Sequence, residues 1–241
     1  MACNSKNITK TKMNYLLALM RAKGYEVFKK PYFLNIVGVR GKDTNPIKFD
    51  DSLYVFWKNK MNQWEGKEYS ITTDPSTAYL TKEQQKGVAV LPSGQYINKF
   101  AIGKHKGQYR ALVQAKRFCV YRDFDRNTLL NFSIKDLDCG MFGINIHRAK
   151  VFGADDGQGN TNEVGLYSAG CQVFQNYYCY QEFMKLIEKQ QSIYGNQYFT
   201  YTLVDLWTVN RLNLKRNLLF LSVLSGITML GYGIALKLKK K

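Results

Sequence analysis

The sequence predicts an α+β fold that is mostly β, with an amphipathic helix at its start and an apolar helix at its end. Three observations carry this. Between Tyr32 and Asn210, short runs of β-branched and aromatic residues alternate with turn clusters. Helical periodicity is confined to two polar-faced stretches. From Leu218 to Leu236, nineteen residues pass without a charge. The chain has 241 residues, 45% hydrophobic and 22% charged, which suits one domain of ordinary size with appendages and excludes a disordered chain.

Residues 1–30 form the first part. Met13, Leu16, Leu17 and Met20 fall at i, i+3, i+4 and i+7 before Gly24, the pattern of a short helix with one apolar face. Docking of that face on the domain is the reading adopted, with membrane contact as the alternative. The stretch is too short for a signal peptide and no small-residue cleavage site follows it. Residues 31–210 are the second part, one β-rich domain without an internal repeat. Its expected strands are LNIVGVRG, SLYVFWKN, EYSITT, GVAVL, YINKFAIG, YRALVQ, RFCVYRD, FGINIH and YFTYTLVDLW. Between the last two, Tyr180, Phe183, Met184 and Ile187 share one face of a helix spanning about 176–191.

Residues 211–241 are the third part. A helix over 218–236 would rise about 28 Å, near the thickness of a bilayer core. Arg211, Lys215 and Arg216 precede it and Lys237, Lys239, Lys240 and Lys241 follow it. These residues are expected to insert in a lipid bilayer, in an orientation that two positive flanks leave open.

The formal charge is +17, with 35 basic and 18 acidic groups. Fourteen of the basic groups lie in residues 1–30 and 211–241, so the middle is only mildly cationic. No nucleic-acid motif accompanies the charge, and nucleic acid is not an expected partner. Anionic headgroups or cell-wall polymers account for terminal lysines equally well.

Five cysteines, at 3, 119, 139, 171 and 179, show no C-x-x-C spacing, and the odd count does not read as a disulfide framework. With two histidines, His105 and His147, no zinc ligand set can be assembled, and no metal or cofactor is expected. Asp123, Asp125 and Asn127 alternate like a calcium loop but lack its glycine and distal glutamate, so a polar turn is expected there. His105, between lysines in GKHKG, is expected in a solvated turn.

Two segments carry chemistry. GMFGINIHRA ends a buried strand at His147, and in VGLYSAGCQVF Cys171 follows Ser168, Ala169 and Gly170 at an expected strand-to-helix turn. A helix start would offer unpaired N–H groups and a positive dipole end that favour thiolate. Gly170 would let the backbone turn tightly, and an imidazole in reach would complete a Cys–His pair. A packed inert thiol and a satisfied core histidine are the other reading of the same residues.

In order and spacing these segments resemble the catalytic domain of the L,D-transpeptidase (YkuD-type) family. Gly143-Ile144-Asn145-Ile146-His147 is similar to its histidine element, and Ser168-Ala169-Gly170-Cys171 to its Ser-His-Gly-Cys element. Leu91-Pro92-Ser93-Gly94-Gln95-Tyr96 is similar to its Thr-Pro-x-Gly-x-aromatic segment. The likeness covers roughly Gly87 to Phe174. Ala169 replaces the family's second histidine, Arg148 stands where Gly, Ser or Thr is usual, and Val173 stands where Arg is usual. The pattern also resembles uncharacterised proteins of tailed bacteriophages.

The resemblance implies acyl transfer on peptidoglycan peptides, in a host cell envelope or a virion, with Cys171 as nucleophile and His147 as base. Backbone N–H groups at Gly170 and Cys171 would hold the oxyanion, and Ser168 would either assist or merely fix the turn. Arg148, Tyr167 and Tyr96 are the candidate substrate contacts. The expected activity is a cysteine-dependent peptidoglycan peptidase or transpeptidase. The alternative is a non-enzymatic virion or membrane-associated protein that keeps the fold and binds cell wall, or other virion or membrane proteins.

Overall fold

The computed structural model describes residues 3–41, 46–83, 85–149 and 159–205. In chain order the strands are β1 (Lys6–Asn7), β2 (Asn35–Arg40), β3 (Asp51–Lys58), β4 (Trp64–Thr72), β5 (Val88–Val90), β6 (Gly94–His105), β7 (Tyr109–Gln114), β8 (Phe118–Asp123), β9 (Leu137–Gly140), β10 (Ile146–Arg148), β11 (Gln172–Phe174) and β12 (Phe199–Asp205). The helices are α1 (Lys10–Ala22), α2 (Thr77–Leu80) and α3 (Tyr177–Tyr194). The chain is mostly β, as its alternating apolar runs require.

The large sheet closes on itself. β4 pairs with β3 along one edge and with β1 and β11 along the other. The order β3–β4–β11–β10–β7–β6–β12–β2 therefore returns to β3, a ring of strands that, among the described residues, leaves the two-residue β1 as an added edge. Closure satisfies backbone groups that an open sheet would expose. β5, β8 and β9 form a separate small sheet. One face of the large sheet makes the main core, with Ile36, Val55, Ile71, Phe100, Leu112, Ile146, Phe174 and Leu203 all buried. Gly38 is required there: a Cβ on it would lie 1.9 Å from the Tyr201 hydroxyl, whose ring fills the position.

α3 begins where Asn176 accepts the Cys179 N–H at 3.0 Å and ends at Gly195, whose φ of +63° closes the last turn. Its buried stripe of Tyr180, Phe183, Met184 and Ile187 joins the main core. Each such side chain contributes roughly 1.5–3 kcal/mol of burial. α1 starts at Thr9, which accepts the Lys12 N–H at 3.3 Å, and buries Met13, Leu16, Leu17 and Met20. Lys12 ties the helix to the sheet through Glu68, 2.8 Å away on β4, and lies over the Tyr54 ring on β3.

Two expectations are corrected. Four of the five cysteines are paired, as Cys3–Cys179 and Cys119–Cys139. Spacing could not reveal this, because one bridge joins residues 176 positions apart and the other joins directly paired residues of β8 and β9. The helix expected directly after Cys171 does not begin there either. β11 intervenes, and α3 starts at Tyr177. The apolar stretch 218–236 lies outside the described residues; among those described, no helix is long and apolar enough to cross a membrane.

Candidate active site

The site forms where β10 and β11 lie side by side. They run parallel, with Ile146 opposite Gln172 and His147 opposite Val173. Side chains alternate along a strand, so Ile146 and Phe174 enter the main core while His147 and Val173 face the other way. Cys171 precedes Val173 by two residues and packs beside it in a small cluster with Phe49, Ala149 and Val164. Cys171 therefore lies just before β11, packed with Val173, whose partner across the parallel ladder is His147.

The turn that delivers Cys171 is tightly determined. Gly170 has φ +113°, and a Cβ on it would lie 2.1 Å from the Ala89 carbonyl oxygen. Ser168 is fully buried; its hydroxyl lies 2.7 Å from Asp74 O and 2.9 Å from Cys171 O, and accepts the Gly170 N–H at 3.3 Å. Of the two roles open to Ser168, the geometry gives it the fixing of the turn. With the Gly170 N–H so engaged, the Cys171 N–H is left without an acceptor among the described residues.

Cys171 is the unpaired thiol among the described cysteines. It is 9% exposed and borders a cavity of about 320 Å³, lined also by Tyr79, His105, Lys106, Phe142, Gly143, Ile144, Asn145, Leu166, Tyr167 and Ala169. Its sulfur accepts the Asn145 N–H at 3.4 Å, and its proton is directed to Gly143 O at 3.6 Å. A second cavity of about 300 Å³ shares Tyr79, Phe142 and Ala169 with the first. The expected helix-start activation is replaced by the opposite effect: burial pushes the thiol up to about 11, against opposing pulls from the Asn145 N–H and Lys106. The resting sulfur is a thiol.

His147 is 2% exposed. Its Nδ1 lies 2.7 Å from the Arg148 carbonyl oxygen, which can only accept, so Nδ1 carries the proton and Nε2 is bare. The Tyr109 hydroxyl, 3.2 Å from Nδ1, donates to the same carbonyl. Nε2 is buried without a hydrogen-bond partner. Burial, with help from His105, lowers this imidazole to about 3, so it is neutral at pH 7.

His105 corrects another expectation. It ends β6, is 7% exposed and stacks on His147 with ring centroids 3.8 Å apart and planes 21° apart. Asn145 Nδ2 lies 3.0 Å from its Nδ1. Burial, with help from the charges of Lys106 and Arg148, lowers His105 to about 4.

Of the sequence-derived candidates, the structure gathers Cys171, Gly170, Ser168 and Tyr167 around this turn and cavity, while His147 lies behind the lining, stacked on His105 and with its Nε2 not hydrogen-bonded to the sulfur. Arg148 turns away, with its guanidinium over the Tyr109 ring at 3.8 Å. Tyr96 is a core residue whose hydroxyl donates to Pro92 O at 2.6 Å and whose ring packs on Phe118, so it does not touch the cavity. Sequence reasoning missed His105, Asn145 and Gln114. Asn145 was legible in principle, since the alternation of Gly143-Ile144-Asn145-Ile146-His147 puts it on the face of His147. Nothing local marks His105, which reaches the site only through the pairing of β6, β7 and β10.

A free thiol and a neutral imidazole line one cavity, and a second neutral imidazole stacks behind the first. Comparison of the chain with protein-family models, with curated proteins and with solved structures finds no match.

Proposed function

We propose that the protein is a cysteine-dependent acyl transferase or peptidase acting on peptide crosslinks of peptidoglycan. The observation that carries the reading is the free Cys171 thiol at a cavity, just before a strand paired with that of His147, whose proton Arg148 O fixes on Nδ1 so that Nε2 is bare. The similarity of the motifs around both residues to the L,D-transpeptidase family supplies the substrate class.

With a neutral thiol and a neutral base, attack is coupled to proton transfer. The S–H turns from Gly143 O to His147 Nε2 as sulfur bonds to the carbonyl carbon, and the carbonyl π pair moves to oxygen. Collapse breaks the C–N bond, the imidazolium returns its proton to the departing amine, and a thioester remains on Cys171. Water or an amine then attacks the thioester, giving its proton to His147, and the thiol is restored. The two adjoining cavities suit a chain extending to either side of the scissile bond. The paired cysteines favour an oxidising compartment such as a cell envelope.

Digestion of purified sacculi tests the reading. Wild type is expected to change the muropeptide profile and Cys171→Ala to leave it at the no-protein control. Wild-type and Cys171→Ala profiles that both match the control would leave a fold-keeping binding protein instead.

A further inference from the structure

We propose that His105 is a catalytic hydrogen-bond donor, whose neutral Nε2–H binds the oxyanion formed when Cys171 attacks a carbonyl. This rests on the acyl-transfer reading above. The tautomer follows from the network. The Gln114 N–H donates to Asn145 Oδ1 at 3.0 Å, which fixes the amide so that Nδ2, a donor, faces His105. Nδ1 of His105 is therefore an acceptor, and the proton of the neutral ring sits on Nε2. That N–H has no acceptor among the described residues, and the ring lines the same cavity as the sulfur.

The two stacked rings are thus opposite tautomers. Arg148 O makes His147 a base at Nε2, and Asn145 makes His105 a donor at Nε2. Asn145 registers both reaction partners at once, with its main-chain N–H on the sulfur and its side-chain amide on His105. A neutral imidazole suits a donor that must not surrender its proton to the base beside it, and the depression of His105 to about 4 keeps it neutral across the physiological range. Together with the Cys171 N–H, which has no acceptor among the described residues, it gives the developing oxyanion two donors.

The test compares two reactions of the full chain. Acylation of Cys171 by 4-nitrophenyl acetate forms an oxyanion, whereas alkylation by iodoacetamide forms none. His105→Ala is expected to slow acylation about 100- to 1,000-fold relative to alkylation, the usual effect of losing one such donor. His105→Gln, with an amide N–H, is expected to recover part of the loss. Equal slowing of both reactions, or no slowing of either, overturns the proposal. A wild type that takes acetate from the ester but leaves sacculi untouched overturns the peptidoglycan reading and keeps the donor role; a wild-type thiol that takes no acetate overturns both. Nitrogen-15 spectra of the wild type give a measurement that needs no variant: protonated Nε2 in His105 with protonated Nδ1 in His147 is expected, and the same tautomer in both rings refutes the assignment.

Discussion

Acid titration of stability probes the base on which the proposed chemistry depends. In the unfolded chain the His147 imidazole takes up a proton near its ordinary value of 6.5; in the folded chain burial delays this to about 3. The folded-state value lies below the unfolded one, so the folded protein binds fewer protons between these limits. Stability is full above about pH 6.5 and falls as pH drops toward 3, at roughly 1.4 kcal/mol per unit. Between pH 7 and about pH 4.5 the loss assigned to this one group is about 3 kcal/mol, a large share of the roughly 5–15 kcal/mol that holds a domain folded. Urea denaturation of wild type and His147→Asn at the two pH values isolates it, since the acids titrate in both proteins. Wild type is expected to lose about 3 kcal/mol more than the variant. Equal losses would mean that the ring is charged or open to solvent in the folded state, and a neutral Nε2 base would have to be abandoned.

Gly170→Ala would put a Cβ against Ala89 O at a φ of +113°; a destabilisation of roughly 2–4 kcal/mol and altered Cys171 alkylation are expected, and an unchanged melting temperature and thiol rate would show that Ala89 does not confine the turn. The two bridges close loops of very different length, with separations of 176 and 20. Chain-closure entropy then predicts a loss of about 5 kcal/mol for the Cys3→Ser, Cys179→Ser pair and about 3 kcal/mol for the Cys119→Ser, Cys139→Ser pair in denaturant titrations, and the reverse order would contradict a closure origin.

Local pattern carried most of the fold. Runs such as Ser52–Lys58 and Phe199–Asp205 announce strands because alternation or a β-branched run is a property of the segment itself. The stripe Tyr180, Phe183, Met184 and Ile187 announces α3 for the same reason. What stayed hidden depends on partners. β11 has three residues, too few for a pattern, and only its pairing with β10 and β4 makes it a strand. Missing it misplaced the helix start and so the expected source of thiolate stabilisation. His105 looked solvated because its neighbours Lys104 and Lys106 are charged, yet the pairing of β6 with β7, and of β7 with β10, brings it onto His147. The disulfides are likewise set by long-range proximity. The similarity of Ser168 to Cys171 to a catalytic motif pointed to a turn that carries a free thiol to a cavity, while Tyr96 belongs to the core.

The fixed geometry of that turn has a source on its far side. Arg40 is fully buried, 2.8 Å from Asp74 and 3.2 Å from Asp205, and donates to Thr73 O and Leu91 O. Asp51 completes the group by accepting the Thr73 N–H and hydroxyl. Burial raises the Asp74 carboxyl to about 7, with Arg40 opposing, so the cluster is not optimised for stability alone; a buried ion group of this kind is often replaceable by apolar side chains at little cost. Its position suggests what it does instead. The segments it clamps, Thr73–Asp74 and Leu91, adjoin the two contacts that hold the Cys171 turn: Asp74 O, where the Ser168 hydroxyl binds, and Ala89 O, against which Gly170 packs. Ser76 adds a main-chain bond to Ser168 O at 2.9 Å. Directional bonds to a guanidinium set a carbonyl's position more narrowly than apolar packing does, and in the proposed reaction the placement of the Cys171 thiol depends on those carbonyls.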